Sequence, residues 1–189
     1  MIDLISLLSL SISILCTLIL VGDILDGRRQ RMPVMNLVWP IAAFWAGIPA
    51  LIAYWTFGRS IKRERPRPTW QSALLCDLHC AAGCALGGFT GEGVVRLTHV
   101  PHGWAVDFAF AFLFGVVFQY SSQSRRSLRA ALKADTIALI AFEAGMLACL
   151  AALDVWPFWL KMQIALFAGF LTAYPANWWL VRRRIKSPM

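Results

Sequence analysis

Apolar residues fill six long stretches of this chain, and short polar or basic segments separate them. The stretches fall at 4–21, 36–57, 70–95, 104–120, 134–153 and 158–181. Most approach the roughly 20 residues that a helix needs to cross about 30 Å of hydrocarbon. A single all-α domain over 1–189 is therefore predicted, a polytopic bundle of about six transmembrane helices. The first stretch is read as a membrane helix, not a leader, because Met1-Ile2-Asp3 supplies no basic n-region and no convincing cleavage site follows.

Composition agrees with a bilayer setting: 59% of the 189 residues are hydrophobic, nine are tryptophan, and mean hydropathy is +0.62. The net charge of +8 would suggest nucleic acid in a soluble protein. Here the basic residues sit in short loops beside apolar stretches, so anionic lipid headgroups are the expected partner, and no nucleic acid is expected. No Gly-rich phosphate loop or Ser-His-Asp set appears, so a protein without enzyme activity is the favoured expectation, with a thiol-redox enzyme left open.

With six spans, 13 of the 18 basic residues fall on the side that carries both termini: Arg59, Lys62, Arg63, Arg65, Arg67, Arg125, Arg126, Arg129, Lys133, Arg182, Arg183, Arg184 and Lys186. The excess of positive charge on cytoplasmic loops then places both termini in the cytoplasm of a bacterial inner membrane. The Arg28 to Arg31 cluster opposes this assignment. Were that loop cytoplasmic too, 36–57 would be a re-entrant segment, which Pro40 and Pro49 permit.

The third stretch carries the candidate chemistry. Cys76, Cys80 and Cys84 recur every four residues and share a helical face, with His79 beside them and Asp77 nearby. Gly83, Gly87 and Gly91 repeat the spacing that lets membrane helices approach closely. Small apolar cysteines also suit such a face, but packing does not account for His79 and Asp77. In the fifth stretch Asp135, Glu143, Met146 and Cys149 fall near one face, and Glu143 lies at about the same depth as Cys80 and Cys84. A carboxylate there needs a partner, a proton or water.

Thiolate and thioether favour soft ions such as Cu(I), and imidazole also suits Zn(II). The expected ligands are His79, Cys80 and Cys84, with Cys76 and Met146 as stepping ligands and Glu143 exchanging protons for the ion. Two other readings stand beside this one: a structural or assembly partner, with a protein partner or homo-oligomer, and a membrane thiol-redox protein. The redox reading needs α-helix unwinding at Cys80 and Cys84. Among weaker signals, His99, His102 and Asp107 gather at one loop, and Tyr174 to Trp179, containing Pro175, is expected to break the last helix.

Asn36-Leu-Val-Trp39-Pro40, Gly58-Arg59, His79-Cys80-Ala-Ala-Gly83-Cys84, Phe118-Gln119-Tyr120, Lys133-Ala134-Asp135, Phe142-Glu143-Ala-Gly145-Met146, Met162-Gln163-Ile164 and Tyr174-Pro175-Ala-Asn177-Trp178 occur in this order. Together they resemble a bacterial membrane family known as domain of unknown function 4396. In that family the cysteine motif reads His-Cys-Gly-x-Gly-Cys-Thr-Leu-Gly-Asp; here Ala81, Ala85 and Gly88 stand at the first Gly, the Thr and the Asp. The resemblance implies a membrane protein and carries no activity with it.

Overall fold

The computed structural model describes residues 1–28, 30, 32–59, 67–99, 103–122, 128–153 and 155–186. Seven α-helices and no strand occur among them: α1 (Ile2–Leu25), α2 (Met35–Ala46), α3 (Ile48–Ala53, continued by a π-turn over Tyr54–Gly58), α4 (Thr69–Thr98), α5 (Gly103–Ser122), α6 (Leu128–Ala152) and α7 (Phe158–Arg182). The all-α expectation holds. By length and composition α1, α4 and α7 are able to cross a membrane, with shorter apolar segments in the other helices.

The face of α1 that turns inward is the reverse of a soluble helix. Leu4, Leu7, Leu8, Leu15 and Leu18 are exposed while Ser6, Ser13 and Cys16 are buried. In lipid that arrangement is favourable, since apolar side chains gain nothing by leaving hydrocarbon and small polar ones find partners inside. The partner is Gln163 of α7. Its side chain accepts from the Ser9 hydroxyl and donates to Ser13 Oγ at 3.0 Å, which sets α1 and α7 side by side, first half against first half.

The segment expected as a second span is instead a helical hairpin. The chain reverses at Gly47, whose φ of +60° suits a residue without a Cβ. Trp39 of α2 then meets Tyr54 edge-on at 5.4 Å and Phe57 at 6.2 Å beyond α3, so the two arms lie together. Both ends reach the end of α1: Tyr54 Oη donates to Asp23 at 2.8 Å, Arg59 pairs with Asp23 at 2.9 Å, and Arg28 pairs with the same carboxylate. Pro49 has no N–H to offer the Trp45 carbonyl four residues back. Gln163 Nε2 supplies that donor at 2.9 Å.

The hairpin matches the re-entrant alternative for 36–57. Because the hairpin returns to the end of the bundle that it left, α4 starts where α1 stops, and each later helix reverses the one before. The first residue of α1 and the last of α7 therefore lie at opposite ends. A correction concerns Pro175, which does not break the last helix: α7 runs unbroken from Phe158 to Arg182 with Pro175 inside it.

Glycines set the closest helix pair. A Cβ on Gly83 would lie 2.8 Å from the Gly115 Cα; Gly87 faces Ala111 and Gly91 faces Asp107 in the same way. Each four-residue step along α4 is answered by a four-residue step back along α5, the register of an antiparallel pair. Across the bundle, Gly169 of α7 packs on Phe142 of α6, and Thr172 Oγ1 donates to the Ala141 carbonyl at 2.8 Å. Glu143 is thereby held next to the α6–α7 seam and turned toward α4.

Candidate functional site

From Gln71 to Gly91 almost every residue of α4 is buried, and the polar ones are among them. Cys76, Asp77, His79, Cys80 and Cys84 each have 0% exposure. The helix is continuous through all five. Their directions follow from a 100° step per residue: the thiols of Cys80 and Cys84 face the gap between α5 and α7, His79 faces α5, and Asp77 faces α7.

Glu143 enters that gap from α6. It lies against the Cys84 thiol, which also contacts the Cys80 thiol one turn away. Neither carboxylate oxygen of Glu143 has a hydrogen bond of ordinary geometry, although the residue is 1% exposed. Met146, one turn along α6 and also fully buried, belongs to the apolar cluster that contains Cys80 and Cys84. The shared depth read from the sequence therefore corresponds to contact.

His79 is held differently. Its ring approaches the Phe118 carbonyl through Nε2 at 2.5 Å, and since a carbonyl only accepts, Nε2 carries the proton. Nδ1 is left with a lone pair, buried and without a partner. A hydrogen bond of this kind orients the imidazole of many metal sites. The ring is, however, turned toward α5, away from the thiol pair. Among the described residues no three His, Cys, Asp or Glu side chains converge as a metal cage. The expected six-residue ligand set is thus brought together in part: Cys80, Cys84, Glu143 and Met146 share one region, while Cys76 and His79 lie toward the α5 side. All five cysteines are free thiols.

Two residues of this buried polar group are not singled out by the sequence reading. Asn177 of α7 donates from Nδ2 to Asp77 Oδ1 at 2.8 Å, and Lys186 Nζ donates to Asn177 Oδ1 at 2.9 Å. Lys186 is only 2% exposed, although it falls in a run of basic residues that reads as a solvated cytoplasmic tail. The available signal was Asp77 itself, which stands three residues before Cys80 and seven before Cys84 on one face.

Other sequence candidates do not join this region. His99 ends α4 in a left-handed conformation and is exposed; Asp107 packs on Gly91, is electrostatically linked to Glu143 and leaves Oδ1 unpartnered. His102 and the Asp135 side chain lie outside the described residues, and Cys149 is half-buried.

Residues 69–186 match the family described as domain of unknown function (DUF4396), and the chain belongs to it. That span begins with α4 and includes every member of the polar interior just described, ending on Lys186. No curated protein and no solved structure matches the chain.

Proposed function

We propose that this protein is a bacterial inner-membrane protein that binds, and passes through its interior, a soft metal ion of the Cu(I) class. Cys80 and Cys84 are the primary ligands. A two-coordinate soft ion needs only one pair of thiolates, so the lack of a three-ligand cage does not count against it. Met146 offers a thioether as a third contact, and His79 and Cys76 are stations toward α5.

The observation that supports this reading is the Glu143 carboxylate, buried against the Cys84 thiol and without another hydrogen-bond partner among the described residues. The metal ligand is the thiolate, so binding must move a proton off each sulfur. Glu143 would be the adjacent acceptor for one of these two protons: as Cys84 gives up its S–H bond to bind the ion, the carboxylate would take that proton and become neutral, while the Cys80 proton would leave to bulk solvent in exchange for the entering ion. Its charge then does not oppose the new bis-thiolate centre. The thiol-redox alternative is less well supported, because α4 is unbroken through both cysteines, whose i, i+4 spacing on an intact helix suits a disulfide poorly.

Orientation belongs to the same proposal. With 36–57 as a hairpin, the segments joining α1 to α2, α3 to α4 and α5 to α6, with the helix ends beside them and the tail after α7, carry all of the eighteen basic residues except Arg96 and Lys161. That end faces the cytoplasm and anionic headgroups, and the N-terminus faces the opposite side.

Elemental analysis of the purified full chain tests the reading. Copper or another thiophilic metal should accompany the protein and be absent from a Cys80→Ala/Cys84→Ala variant; equal metal in both rejects it. A scaffold would carry none in either form.

A further inference from the structure

We infer that Lys186 is a tethered cation that closes the basic end of the Cys80–Cys84 site, occupying with its ammonium group the seat that Asp77 and Asn177 offer to an ion on its way between the thiols and that end of the bundle. The inference rests on the metal-binding reading above and specifies how access to that same site is controlled.

Asp77, Cys80 and Cys84 follow one another at i, i+3 and i+7. They form one stripe in which Asp77 is the next polar group beyond Cys80, about 4.5 Å along the axis, and lies about 10 Å from the level of Cys84. An ion moving from the thiol pair toward the α7 C-terminus meets Asp77 next. One of its oxygens accepts from Asn177, while Oδ2 is buried without a hydrogen bond.

A buried carboxylate is expensive without a positive charge nearby. Lys186 supplies one through Asn177, whose amide accepts from the ammonium and donates to the carboxylate. The amide oxygen and the carboxylate are hard donors that attract a passing cation by charge without holding a soft ion tightly, so the pair that holds an ammonium is a transit point and not a ligand site.

The tail that delivers Lys186 is built to fold back. Arg184 takes a φ of +56°, and the amides of Ile185 and Lys186 both donate to the Leu180 carbonyl, at 3.0 and 3.2 Å. This reversal caps α7 and turns the chain into the bundle. It lies beyond the last turn of α7 and is held by two bonds to one carbonyl, so it opens without unravelling a helix. Withdrawal of Lys186 leaves Asp77 and Asn177 free for an arriving ion; its return displaces that ion outward.

The test uses the full chain in liposomes and a membrane-impermeant maleimide added on the side of the C-terminus, with labelling of each cysteine resolved by mass spectrometry. Lys186→Met should raise the labelling rate of Cys80 about tenfold or more, the scale set by losing one charged buried hydrogen bond. Lys186→Arg, which keeps a cation, should stay near wild type. Because Lys186→Met leaves Asp77 uncompensated and so threatens the fold itself, Asp77→Asn/Lys186→Met serves as the charge-neutral form and should also label fast. Equal rates in wild type and the double variant overturn the plug. In Cu(I)-loaded protein, release to an impermeant chelator on that side should accelerate similarly in the double variant. Wild type that binds no Cu(I) would reject the metal reading alone, since the labelling rates decide the plug without any metal.

Discussion

Tyr54 donates its hydroxyl to Asp23 at 2.8 Å, which ties the end of the hairpin to the end of α1. With Arg28 and Arg59 on the same carboxylate, the loops before α2 and after α3 share one end of the bundle. Topology reporters inserted after Met32 and after Pro68 should therefore report the same side, that of the C-terminus, and an N-terminal reporter the other. Opposite sides for the two insertions would restore a spanning second segment.

The hairpin's tip depends on Gln163. It donates to the Trp45 carbonyl that Pro49 leaves without an i+4 donor, and it also holds Ser9 and Ser13. Gln163→Leu keeps the volume and removes all three bonds, so the loss of stability should be about 1–3 kcal/mol, the cost of a buried polar group left unpaired. Thermal unfolding in detergent measures it, and an unchanged midpoint would mean that the hairpin tip draws no support from α7.

Close packing of α4 on α5 gives a paired prediction. A Cβ at Gly83 would fall 2.8 Å from backbone, whereas Gly93 has nothing within 4 Å. Gly83→Ala should destabilise by about 1–3 kcal/mol through overpacking, and Gly93→Ala should be neutral or stabilising by about 0.5–1 kcal/mol through helix propensity. Similar effects at both positions would contradict the antiparallel register.

How much of this was legible in the residues is uneven. The spacing of Cys80 and Cys84 and the depth of Glu143 were enough to bring the three together, because helical periodicity fixes both direction and level along the axis. Gly83, Gly87 and Gly91 likewise announced a tight contact. Hydropathy could not distinguish a spanning helix from a hairpin at 36–57, since both bury apolar residues over the same length; the deciding features are Gly47 at positive φ and the long-range pairing of Asp23. Lys186 was misread for a similar reason: nothing local distinguishes a basic residue in solvent from one folded back onto Asp77. His79 was placed correctly inside, but its ring direction depended on the Phe118 carbonyl, a contact between helices.

Glu143→Gln should leave the fold intact and lower Cu(I) affinity, because the amide cannot take the thiol proton. Wild-type affinity should fall as pH falls, since protons and metal compete for the sulfurs. The variant should show a different pH dependence over the same range. Competition against a chelator of known affinity, repeated across pH, measures both, and superimposable profiles would return Glu143 to a packing role.

The central claim is that Cys80 and Cys84 hold the ion between them, and X-ray absorption at the metal edge of the Cu(I)-loaded protein tests it most directly. The account predicts a centre of low coordination number dominated by sulfur, lost in the Cys80→Ala/Cys84→Ala variant. A spectrum of nitrogen and oxygen ligands alone, or one unchanged in that variant, would contradict it.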